Sequence, residues 1–219
     1  MPYNHDNWGT VSSSIGGAAF IWMASEGIIT SQAPMILTVT LSTLLIHAAT
    51  EATRFRVTTG DWPKGDDLST IITNTRDLGF KIAGSVAGFM TGVGIADSLG
   101  YGNLTKTLMI MLFDSLAVGI INLMNELPKC HSRADFTSTL LKTVDLMMTV
   151  AGAAAIWQQI SLIDTLPRTT RAAISGFAIF AEFMLLRFTT GVALWNGVKK
   201  CCGYGAINEE TDLLIILNP

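Results

Sequence analysis

Charge is the first shortage. Only 14% of the 219 residues are Asp, Glu, Lys or Arg, against about a quarter in ordinary soluble domains. The net charge of −3 and the lack of any long basic run argue against nucleic acid as a partner. Cysteine is also scarce. Cys130, Cys201 and Cys202 make neither a disulfide framework nor a CxxC metal pair. The three histidines, His5, His47 and His131, are scattered. GxSxG, HExxH, HxxxH, P-loop and GxGxxG patterns are all missing, so no enzyme, cofactor or metal is expected. The first apolar run, from Val11, has no basic segment before it and no A-x-A site after it; it reads as a first span, not a cleaved leader.

What the chain does have is apolar residues in long blocks. They are 49% of the sequence, with a mean hydropathy of +0.44. Asp77–Asp97, DLGFKIAGSVAGFMTGVGIAD, sets the pattern: apolar, rich in Gly and Ala, and bounded by charge. It is long enough to cross a hydrocarbon core of about 30 Å, which takes about 20 helical residues. Five comparable blocks accompany it, giving spans at Val11–Thr30, Pro34–Phe55, Asp77–Leu99, Leu104–Asn125, Ser138–Ile163 and Arg171–Val198. These continuous blocks lack the ten-residue alternation of a β-barrel; a soluble helical bundle is the plain alternative, and one of this size would find so many blocks hard to bury.

The fold expected is therefore all-α: a polytopic membrane bundle of six helices over residues 1–198, paired as hairpins at about 11–55, 77–125 and 138–198, with a cytosolic tail at 199–219. Residues 56–76 form the longest polar connection, with an interfacial helix expected at Leu68–Thr75. Trp8 is placed like an interfacial anchor.

The hairpins carry a threefold repeat of low residue identity. Offsets of 67 and then 68 residues superimpose Gly17, Gly84 and Gly152; Trp22, Phe89 and Trp157; Thr40, Thr107 and Ser175; and His47, Asp114 and Glu182. The last two sets lie seven residues apart, so each even-numbered helix would show a hydroxyl and an ionisable group on one stripe.

Orientation follows the excess of Lys and Arg on cytoplasmic connections. Arg54, Arg56, Lys64, Arg76, Lys129, Arg133, Lys142, Lys199 and Lys200 fall on one side; Lys106, Arg168 and Arg171 fall on the other. Both termini are thereby expected in the cytosol. The sequon Asn103-Leu104-Thr105 then lies on the far side, too close to the membrane to be glycosylated.

Two tail features fit that orientation. Cys201-Cys202 directly follows Lys199-Lys200, as a palmitoylation pair would. The stretch EETDLL, with Glu209, Leu213 and Leu214, resembles the acidic dileucine signal read by clathrin adaptors. That resemblance implies sorting to an endosome, lysosome or vacuole; otherwise the plasma membrane is the destination. The plain alternative is an apolar tail docked on the bundle.

Ionisable groups deep in lipid-length segments are costly and usually face the bundle interior. Here the deep set is Glu26, His47, Asp114, Glu182 and Arg187, with Glu51, Arg54, Thr40, Thr107 and Ser175 as further polar positions. An imidazole and carboxylates in an apolar bundle can relay protons or hold a cation near the midplane. The alternative is structural: Arg187 neutralises an acid and His47 is a satisfied core residue.

The function expected is a small transporter or channel, linked to protons or cations, acting on an ion or small molecule in contact with membrane lipid, and compatible with assembly as a homo-oligomer. The rival is a non-transporting scaffold, receptor subunit or trafficking effector working through its 56–76 connection and tail. A lipid-modifying enzyme is a third reading without a nucleophile–base pair.

Overall fold

The computed structural model describes residues 8–201, with side chains described as far as Leu186. It is all-helical. The elements are α1 (Trp8–Ser25), α2 (Gln32–Thr59), α3 (Asp66–Ser98), α4 (Asn103–Glu126), α5 (Arg133–Ser161) and α6 (Arg168–Cys201), with a 3-10 turn at Leu127–Lys129.

The breaks have local causes. Gly60 ends α2 at φ 88°, a left-handed conformation that costs glycine little, and its N–H returns to the Arg56 carbonyl at 2.8 Å. Pro34 sits in the first turn of α2, where no backbone N–H is needed. Ser132 caps α5, its hydroxyl accepting from the Asp135 N–H at 3.1 Å.

Each helix packs against its neighbours in sequence, and α6 closes onto α1, so the six form a ring. The seams are tight where glycines allow it. Gly84, Gly88 and Gly92, one per turn of α3, lie against Ile121, Phe113 and Ile110 of α4. At the α1–α6 seam Gly16 and Gly176 face each other, each lying against the other's carbonyl oxygen.

Five helices, α2 to α6, are long and apolar enough to cross a membrane. Their outward faces are apolar. On α4 the exposed stripe is Leu104, Leu108, Leu112, Leu116, Ile120 and Met124, one residue per turn over about 30 Å, the thickness of a hydrocarbon core. Leu37, Leu41 and Leu45 continue it on α2, and Phe136, Leu140, Val144 and Met148 on α5. The interior holds polar groups: Ser12, Ser14, Thr43, His47, Glu51, Asp114, Asn122, Gln158 and Ser175 are buried. An apolar outer face around an interior that also shelters polar groups is consistent with a helical membrane bundle.

Several expected boundaries move. Residues 56–76 are not a long loop. α2 runs on to Thr59 and α3 starts at Asp66, so Leu68–Thr75 belongs to α3 and the connection spans only 60–65. Amphipathic turns at the ends of the apolar blocks continue the helix; α3, at 33 residues, is about 50 Å long, more than the thickness of a hydrocarbon core. α1 ends at Ser25, five residues before the expected end. It is rich in Ser and Gly and buries Thr10, Ser12 and Ser14 among its neighbours. Trp8 is no free anchor: its Nε1–H donates to the Phe183 carbonyl at 2.7 Å, and its ring stacks on Phe183.

Candidate functional site

At the centre of the ring three aromatic residues meet. Trp22 of α1, Phe89 of α3 and Trp157 of α5 have ring centroids 4.6, 5.0 and 4.7 Å apart, in edge-on and tilted contacts that favour aromatic pairs. They are the three positions that the 67- and 68-residue offsets superimpose. Beside them lies a cavity of about 60 Å³ bordered by all six helices. Its walls are mostly aliphatic and aromatic; Asp114 is the ionisable residue on its lining, with Ser85 as a hydroxyl neighbour.

Asp114 reaches this position because α4 lies so close to α3. Gly88 packs directly against the backbone of Asp114. Asp114 is buried, with the Ser85 side chain beside its carboxyl group. Oδ1 has no hydrogen-bond partner among the described residues, and neither has Trp157 Nε1, a donor on the same lining. Buried polar groups are nearly always paired with protein or water. A cavity of this size has room for a few waters.

The other expected site residues flank this centre. His47 is buried in the α1–α2 seam, 3.2 Å from the Ser14 hydroxyl. Ser14 donates to the Thr10 carbonyl at 2.8 Å, so the His47 Nδ1–H is the donor to Ser14. Glu182 of α6 points at Gly152 of α5, and both its carboxylate oxygens are buried without a partner among the described residues. His47, Asp114 and Glu182 thus each face the odd-numbered helix of their own hairpin. Asp114 alone of the three borders the cavity.

Glu51 is buried and salt-bridged to Arg54 at 3.2 Å, a closed pair one turn beyond His47. Thr107 donates to the Asn103 carbonyl and accepts from the Gln159 amide at 3.4 Å, tying α4 to α5. Thr40 and Ser175 keep buried hydroxyls without partners among the described residues.

Glu26 is not deep in a helix. It lies half-buried in the α1–α2 connection, with Arg171 and Arg168 of α6 as its charged neighbours. Burial raises its carboxyl above the ordinary range and outweighs the pull of Arg171 and then Arg168. The Arg187 side chain lies outside the described residues, as do those of Cys201, Cys202, Glu209, Leu213 and Leu214.

The sequence reading missed Ser85 and the Trp157 indole nitrogen as site groups. The usable signal was spacing: Ile82, Ser85, Val86 and Phe89 fall on one α3 face at helical intervals, and Ser85 is the hydroxyl on it. Among the described residues, no cluster of three or more His, Cys, Asp or Glu is placed to hold a metal ion.

Comparison of the chain with protein-family models, curated proteins and solved structures gives no match.

Proposed function

We propose that this chain is a small multi-pass membrane transporter or channel, linked to protons or cations, with Asp114 as the group that takes up and releases the charge. The observation that carries the reading is the central cavity, with an unpartnered buried acceptor on Asp114 and an unpartnered buried donor on Trp157. A buried carboxylate must be neutralised, paired or solvated, and at this position a proton, a cation or water can do so. Glu182, unpartnered in the adjoining seam, is the second station, and His47 a third.

In the same reading α1 is a sixth span, sheltered from lipid by α2 and α6, and the hairpins are three copies of one unit. The meeting of Trp22, Phe89 and Trp157 supports that, as do Gly17, Gly84 and Gly152, each facing the second helix of its own hairpin. Both termini are cytosolic, with Cys201 and Cys202 as acylation sites. If a clathrin adaptor reads Glu209, Leu213 and Leu214, the destination is an endosomal, lysosomal or vacuolar membrane.

Flux in proteoliposomes tests the proposal. Wild type should dissipate an imposed proton or monovalent-cation gradient, Asp114→Asn should fall to the protein-free rate, and Glu182→Gln should be slowed. Background flux in all three would overturn transport and leave the scaffold reading.

A further inference from the structure

The central cavity also limits what kind of cation it can take. A bare alkali or divalent ion exchanges its water shell for about six oxygen ligands. On this lining the side-chain oxygens are those of Asp114 and Ser85, and the remaining surface is hydrocarbon and ring. Such a wall suits a cation that tolerates apolar contact: one or two N–H bonds for a carboxylate, and alkyl hydrogens bearing part of the charge for aromatic rings. Trp22, Phe89 and Trp157 all border the cavity, and Asp114 keeps Oδ1 unpartnered.

Size narrows the class. One water occupies about 10–15 Å³ measured this way. A space of about 60 Å³ therefore suits an ion of two or three heavy atoms with accompanying water.

We infer that the cavity binds a small alkylammonium ion of the methylammonium class, with Asp114 as counter-ion and Trp22, Phe89 and Trp157 as its aromatic walls. This rests on the transport reading for its purpose, and it makes the transported cation organic. The ammonium nitrogen pairs with the Asp114 carboxyl group, while the methyl end lies against the rings. Ser85 lies beside the carboxyl group on the same lining.

The test is equilibrium binding of radiolabelled methylammonium to the full chain in lipid nanodiscs at constant ionic strength. Saturable binding is expected, displaced by unlabelled methylammonium or ethylammonium and not by equal concentrations of sodium or potassium. Asp114→Asn should weaken it at least tenfold, as expected for a desolvated charge left without its partner. Trp22→Leu should weaken it by about fivefold and Trp22→Phe by less, since the second keeps a ring. Gly94→Ala, whose new methyl group meets open space, should bind as wild type does. If Asp114→Asn fails to fold, judged by helical circular dichroism, the Trp22 pair still decides the matter.

Displacement by potassium as effective as by ethylammonium would overturn the inference in favour of an alkali site. An absence of saturable binding in wild type alongside proton flux would overturn it while leaving transport intact. Saturable, ammonium-selective binding without any flux would uphold the site and overturn the transport reading.

Discussion

Replacing Gly88 by Ala tests the architecture that puts Asp114 at the centre. A Cβ at position 88 would lie 2.5 Å from the Phe113 carbonyl oxygen and 2.9 Å from both the Ala117 Cβ and the Asp114 Cα. Comfortable separations are about 3.5–4.0 Å between carbons. Two of the three obstructing atoms are α4 backbone, so no rotamer change relieves the clash. Either α4 retreats by roughly 0.5–1 Å along a seam that Gly84 and Gly92 also hold closed, or the strain stays local. Overpacking of this kind costs about 1–3 kcal/mol. The matched control is Gly94→Ala on the same helix, where nothing lies within 4 Å. There only the helix preference of Ala over Gly acts, for a change between zero and about 1 kcal/mol in the stabilising direction.

The helix preference is common to both variants and cancels, so they should differ by about 1–3 kcal/mol in unfolding free energy, read by circular dichroism during denaturant titration in mixed micelles. Because the retreat carries the Asp114 backbone with it, Gly88→Ala should also lose flux where Gly94→Ala does not. Equal stability of the two variants, within about 0.5 kcal/mol, would refute the close α3–α4 packing on which the site depends.

Removing the central ring by Trp157→Ala should destabilise the bundle by about 3–5 kcal/mol, measured in the same titration, because Trp22 and Phe89 both lose their packing partner. Asn122→Ala removes the 2.8 Å hydrogen bond to Thr143 between α4 and α5 and should cost about 0.6–2 kcal/mol; no change would mean that this bond is idle. Glu26 should give a pH signature. Its folded-state affinity for protons is above the reference value of 4.5, so the folded state binds the proton more tightly than the unfolded chain does. Stability then declines as pH rises from about 4.5 through the raised folded value, and stays lower above it. Glu26→Gln should flatten that part of the profile and raise the melting temperature at neutral pH, while near pH 4 the two proteins should melt together. A profile of unchanged shape in the variant would show that Glu26 is not its source.

The sequence disclosed the bundle better than the site. Runs of lipid length announce α2 to α6, since a helix facing hydrocarbon must be apolar over about 20 residues. They describe α1 less well, because its surroundings are protein, and Thr10, Ser12 and Ser14 are tolerated where neighbours bury them. The overextended 56–76 loop has a similar origin: charged turns such as those around Arg56 and Arg76 look like connection by composition, yet a helix continues through them. The offset alignment picked out Trp22, Phe89 and Trp157 as equivalent, but equivalence in sequence does not say that three rings touch. Depth was the weakest inference. Glu26 and Asp114 look equally embedded by position in an apolar run; one lies in a turn beside two arginines and the other on the central cavity. Which way a side chain faces depends on helix rotation, and helix rotation here follows from glycine contacts between packed helices.

The central claim is that a titratable carboxyl group sits at a wet centre inside an apolar bundle, and infrared difference spectroscopy of the protein in lipid addresses it most directly. Subtracting Asp114→Asn from wild type should leave a carboxyl stretching band that shifts within minutes of transfer to heavy water and changes with bulk pH. A band that is present but inert to both, while the helix-end amides exchange normally, would mean a sealed structural acid and would contradict the account.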